Sequence, residues 1–204
     1  AMPAAEGKCA QGITTEIAGN CGLSAFPLTE RNRDHLQELY RVYRTELNWT
    51  DFRSYRRKLA GIRPRLDVLP LVGHNTLRAA VAGYEKKHLS AGAIAAMQQL
   101  LDRELAAGAL GLSAGLLYVP GCFAGGDELT ALLEVVARHD RIFTIHLRSE
   151  GDRLEEALAE TLAAARRAKL RKLHLSHLKT AGVRNFGKLP LLLAALQSAD
   201  MRVT

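Results

Sequence analysis

Short apolar runs alternate with helix-patterned stretches along most of the chain, and this rhythm constrains the fold more than any other feature. Ile13 to Gly19 is short, β-branched and closed by glycine. Leu66 to Gly73 is an apolar run after Pro64. Ala109 to Leu117, Ile142 to Leu147 and Leu173 to Leu178 follow, and Met201 to Thr204 begins a last strand. The clearest helices are Ala93 to Ala107, Glu128 to His139, Arg153 to Lys169 and Pro190 to Ala199, each with apolar residues at helical spacing. Asp127 and Asp152 are the expected N-caps of the second and third of these, and Gly108 closes the first. Apolar strands alternating with helices imply parallel βαβ units. Two α/β architectures fit: an open doubly wound sheet or a (β/α)₈ barrel. No GxGxxG follows the first strand, so nothing supports a dinucleotide site. About six strands is short of a barrel's eight, and about 250 residues is the usual barrel length.

The 204 residues are 48% hydrophobic and 24% charged, a globular composition read as one domain over 1–204. No apolar run approaches the roughly 18 residues of a membrane span. Ala1 to Lys8 has no basic-then-apolar leader pattern. Cys9, Cys21 and Cys122 are an odd count with no CxxC, which favours a reducing, cytoplasmic compartment over a disulfide framework. The net charge of +7 admits an anionic partner. Much of it falls on polar helix faces, as at Arg153, Arg166 and Arg167. Residues 30–65 break the rhythm with Tyr40, Tyr43, Trp49, Phe52 and Tyr55 among Arg41, Arg44, Arg53, Arg56, Arg57 and Lys58. Aromatics interleaved with arginine can stack bases and neutralise phosphates. The favoured reading is instead a helical insertion, aromatics inward and arginines outward, with no nucleic-acid role.

Three residues stand at strand ends: Cys21 in Gly19-Asn20-Cys21-Gly22, His146 in Thr144-Ile145-His146-Leu147-Arg148, and His177 in Leu175-Ser176-His177-Leu178-Lys179. Loops beyond the C-terminal ends of parallel strands build the sites of such folds. A thiolate and two imidazoles with an open fourth position suit a catalytic zinc. Each residue alone is more often structural; their joint placement carries the reading. His174 lies three residues before His177, and an odd separation on a strand points the two side chains apart. His74, following Gly73 at a strand end, is also expected to face the site. Cys122 lies in a loop near Tyr118.

These segments resemble the D-aminoacylase family, the N-acyl-D-amino-acid deacylases of the amidohydrolase superfamily. The match begins with Gln11-Gly12-Ile13-Thr14-Thr15 and Gly19-Asn20-Cys21-Gly22, and continues with Gly73-His74-Asn75-Thr76-Leu77-Arg78. Gly108-Ala109-Leu110-Gly111-Leu112-Ser113, Gly115-Leu116 and Tyr118-Val119-Pro120-Gly121 come next. His146-Leu147-Arg148-Ser149-Glu150-Gly151-Asp152 and Ser176-His177-Leu178-Lys179 complete it. The resemblance covers nearly the whole chain and keeps the family's order. It implies a metal-dependent (β/α)₈ TIM barrel and hydrolysis of the amide of N-acyl-D-amino acids. It implies that Cys21, His146 and His177 are zinc ligands, and that Arg148, Lys179 and Tyr118 line the substrate site.

The family also carries an HxH pair on its first strand and an aspartate on its eighth. No HxH occurs here, and the aspartate is expected beyond Thr204. The expectation is a partial barrel, about strands 2 to 7, excised from a longer enzyme. In that enzyme a metal-polarised water attacks the amide, and a carboxylate moves the proton. The segment alone is expected to be inactive, with Glu150 the first candidate base should turnover appear. Its open sheet edges are expected to favour self-association. The rival reading is a non-catalytic α/β binding module for a small carboxylic acid or a protein partner.

Overall fold

The computed structural model describes residues 4–85 and 88–204. Its strands are β1 (Thr15–Ala18), β2 (Asp67–Pro70), β3 (Val72–Gly73), β4 (Gly111–Gly115), β5 (Ile142–His146), β6 (Lys172–Leu175) and β7 (Arg202–Val203). Its helices are α1 (Glu6–Cys9), α2 (Arg33–Tyr40), α3 (Phe52–Ile62), α4 (His74–Ala82), α5 (Ala91–Ala106), α6 (Gly126–Arg138), α7 (Leu154–Arg167) and α8 (Leu189–Gln197). Among the described residues no helix is long and apolar enough to cross a membrane.

All strand pairings are parallel. β1 pairs with β2, and β3 to β7 form a five-stranded sheet in chain order. β2 and β3 are one apolar run broken at Leu71. The Leu71 N–H donates to the Ala18 carbonyl at 2.8 Å, and the Leu110 N–H donates to the Pro70 carbonyl at 2.9 Å. This run therefore links β1 on one side to β4 on the other. Among the described residues the strand order never reverses, so they contain no topological switch point of a doubly wound sheet. The sheet does not close into a barrel: among the described residues β1 and β7 are edges.

The layer is nevertheless strongly curled. Asn20, just past β1, hydrogen-bonds Ser176, just past β6, at 3.2 Å. With strands about 4.8 Å apart, four spacings on a flat sheet would separate those ends by roughly 19 Å. Helices α4 to α7 pack in sequence outside the curl. Leu101, Leu105, Leu132, Leu133, Leu158 and Leu162 pack in one core with Leu112, Phe143, Ile145 and Leu173 of the strands.

Residues 30–65 hold α2, α3 and a 3₁₀ turn at Arg41–Tyr43. Asp51 and Ser54 form a reciprocal cap at the start of α3. Trp49 and Phe52 are buried, and Tyr40 and Tyr55 pack against the core. Arg53, Arg56, Arg57 and Lys58 face outward. Of these aromatics only Tyr43 is exposed.

The caps differ from expectation. The N-cap of α6 is Gly125 in extended backbone, and Asp127 lies in the first turn. Arg153 caps α7. Asp152, one residue earlier, instead accepts hydrogen bonds from Arg184 Nε at 2.7 Å and Asn185 Nδ2 at 3.1 Å.

Candidate metal centre

The turn after β1 presents Cys21 on left-handed backbone, φ 53°. Neighbouring side chains fix that turn. The Ser113 hydroxyl donates to the Gly19 carbonyl at 2.5 Å and accepts from the Gly22 N–H at 3.1 Å. Asn20 Oδ1 accepts from Thr144 Oγ1 at 2.7 Å, and its Nδ2 donates to Ser176 Oγ at 3.2 Å. Thr144 precedes His146 by two residues on β5, and Ser176 precedes His177. The residue beside Cys21 is thus tied to the two segments that carry the histidines. Gly115 lets the turn come close, because a Cβ there would collide with the Cys21 carbonyl.

His146 ends β5 and is buried. His177 lies two residues past β6, also on left-handed backbone, φ 40°. Non-glycine residues in that region carry strain that accumulates at functional sites. Cys21, His146 and His177 each place one donor atom within 4.8 Å of the others. Cys21 Sγ is 3.8 Å from His177 Nε2. The imidazole rings of His146 and His177 meet edge to face, centroids 4.3 Å apart.

Glu150 completes the surroundings. Its Oε1 lies 2.8 Å from His177 Nδ1 and 3.5 Å from His146 Nε2, and its Oε2 lies 2.9 Å from Lys179 Nζ. Neither Glu150 Oε1 nor His146 Nε2 makes a hydrogen bond, although both are buried. Burial pushes the Cys21 thiol above its usual range; the Glu150 charge adds to this and Lys179 opposes it. Burial holds the His146 imidazole below its usual range, opposed by Glu150 and reinforced by His177 and Lys179. A neutral imidazole is the ligand form. The thiol must lose its proton to a metal.

The donor set fits zinc. Bonds of about 2.3 Å to sulfur and about 2.0 Å to nitrogen give tetrahedral S···N edges of roughly 3.6 Å. The Cys21–His177 separation is close to that edge, and a buried nitrogen without a partner stands beside it.

The other expected residues divide. Tyr118 borders the cluster, its hydroxyl 3.5 Å from His146 Nδ1, and Lys179 stands on Glu150. His174 is turned away, with Nδ1 on Thr204 Oγ1 at 3.1 Å. His74 does not face the site. α4 begins at this residue, and its fully buried ring places Nε2 2.9 Å from Glu128 Oε1, which also receives Arg78 Nε at 3.1 Å. Arg148 does not offer a free fork. Its guanidinium makes two bonds to Glu160, at 2.9 and 3.0 Å, and donates to the carbonyls of Cys122 and Ala124. Asn20, Thr144 and Ser176, which hold the Cys21 turn against the histidine segments, are not among the expected site residues. Thr144 was visible as a polar residue in phase with His146 on an otherwise apolar strand.

No family model matches the chain. It is 39% identical, over 89% of its length, to the N-acyl-D-aspartate deacylase of Alcaligenes xylosoxydans xylosoxydans, and covers 36% of that protein. It is 34% identical to the D-aminoacylase of the same organism, over 95% of this chain and 40% of that one. Among solved structures, the N-acyl-D-glutamate deacylase of Bordetella bronchiseptica, complexed with zinc and a phosphonate mimic of the tetrahedral intermediate, superposes with a TM-score of 0.85. That match has 35% identity and covers 96% of this chain and 42% of the other. The chain thus spans about two fifths of the length of the curated relatives it matches.

Proposed function

We propose that this chain, which belongs to the N-acyl-D-amino-acid deacylase family, is the central segment of a zinc-dependent hydrolase of N-acyl-D-amino acids. The observation that carries the reading is the convergence of Cys21, His146 and His177 from three strand ends. The unreversed strand order and the curl support reading the layer as about strands 2 to 7 of a (β/α)₈ barrel, with residues 30–65 as an insertion.

Cys21, His146 and His177 would hold the zinc. Bound there, the metal supplies Lewis acidity and lowers the pKa of a coordinated water. The Lys179 ammonium, ion-paired with Glu150 beside the cluster, has further N–H donors with which it would take the substrate carboxylate. Tyr118, beside His146, would face the acyl-amino acid. Arg148 is left out of substrate binding because its donors are engaged with Glu160 and two carbonyls. Glu150 is the carboxylate that the described residues bring against the cluster, and it is ion-paired with Lys179. These 204 residues alone are therefore expected to hydrolyse N-acetyl-D-amino acids only at the background rate.

The test uses the cobalt(II)-loaded chain and its visible spectrum. N-acetyl-D-aspartate, N-acetyl-D-glutamate and N-acetyl-D-leucine are titrated against their L enantiomers. A spectral change with the D acids, weaker or absent with the L acids, is expected. Equal responses, or none, contradict the reading. A metal-independent response to any small carboxylate favours the binding module.

The unpaired edges of β1 and β7 support self-association by strand addition. Sedimentation velocity is expected to show mass rising with concentration. A constant monomer mass into the hundreds of micromolar contradicts it.

A further inference from the structure

We propose that Glu150 is the positioning residue of the metal centre: its carboxylate stands at Nδ1 of His177 and so presents Nε2 to Cys21. The proposal deepens the zinc reading and rests on it. His177 needs such a hold. It lies beyond the end of β6, its side chain is 39% exposed, and its imidazole has two nitrogens and two neutral tautomers. Glu150 Oε1 is 2.8 Å from Nδ1, while Nε2 is 3.8 Å from Cys21 Sγ. A carboxylate at one nitrogen keeps the proton there and leaves the lone pair of the other for a metal.

Glu150 is itself gripped. Its side chain is only 14% exposed, and Lys179 Nζ neutralises Oε2 at 2.9 Å. Its backbone carbonyl accepts the Ala181 N–H at 2.7 Å, which ties the loop after β5 to the loop after β6. Without Lys179 as partner a carboxylate this buried would be strongly disfavoured. Its buried Oε1 makes no hydrogen bond, and it faces both imidazoles. The contact with Nδ1 is close but is not aligned as a hydrogen bond in this structure.

The test compares the full chain with Glu150→Gln and Glu150→Ala by zinc competition against a chelating dye. Imidazole nitrogen NMR of the zinc-loaded proteins reports the tautomer, which a merely structural role would not move. The wild type is expected to show His177 protonated at Nδ1 and metallated at Nε2. Glu150→Ala is expected to lose about 10- to 100-fold in zinc affinity and to mix the two tautomers. Glu150→Gln, which keeps an acceptor oxygen without the charge, is expected to keep the tautomer and lose less. It also decides the matter if the alanine variant fails to fold, since a wild-type affinity in it then overturns the proposal. Wild-type affinity and a single unchanged tautomer in both variants also overturn it. Absence of zinc binding by the wild type defeats the metal reading itself, and the role of Glu150 falls with it.

Discussion

Cys21→Ser is expected to weaken zinc binding by about a hundredfold or more while leaving the melting temperature of the metal-free chain nearly unchanged. Losing an outer partner of a ligand already costs about 10- to 100-fold, and losing the thiolate itself costs at least the upper end of that range. The metal-free fold should barely notice. Cys21 is only partly buried, and its turn is held by bonds that do not involve its sulfur: Ser113 on Gly19 and Gly22, and Asn20 on Thr144 and Ser176. Chelator competition with thermal unfolding separates the two effects. Undiminished zinc affinity in the variant would remove Cys21 from the site.

Glu128→Gln is expected to do the opposite: to cost about 3 kcal/mol of stability at neutral pH without disturbing the metal centre. Glu128, His74 and Arg78 are all buried, and the Glu128 carboxylate receives bonds from both partners. Breaking a buried ion pair costs on the order of 3–5 kcal/mol, and the amide retains part of the hydrogen bonding. The effect depends on pH. Burial by itself pushes the Glu128 carboxyl up, but the His74 hydrogen bond and charge and the Arg78 charge more than offset it. Its folded value therefore lies below the ordinary 4.5. A carboxyl depressed on folding contributes its stability in full above the unfolded value and loses it as pH falls through the folded value. The gap between wild type and variant in urea unfolding should thus be constant at neutral pH and narrow below about pH 4.5. A gap that widens in acid would contradict this.

What the sequence disclosed follows from how far each partner lies along the chain. The strand–helix rhythm is local, and the strands sit inside or beside the apolar runs that announce them. His174 and His177 do diverge, but not by strand alternation: His174 is on β6, whereas His177 lies two residues past it on left-handed backbone, a turn that the spacing alone does not announce. His74 needed more. It lies after a strand, but Gly73 caps a helix that starts at once, and the ring turns in to Glu128, 54 residues away. Arg148 had the look of a free fork at a strand end. Its acceptor is Glu160 on α7, which only the packing of α7 supplies. Asn20 passed unremarked because its partners lie 124 and 156 residues away and meet it only through the curl. Closure of the sheet is likewise a property of the strand count and tilt of the whole layer.

Cys21, His146 and His177 are proposed to form one zinc site. Zinc-edge X-ray absorption on the loaded, exhaustively dialysed chain tests it most directly. One sulfur neighbour at about 2.3 Å and two imidazole nitrogens at about 2.0 Å are expected, with lighter atoms completing the shell. A shell of nitrogen and oxygen without sulfur, or a chain that retains no zinc, would contradict it.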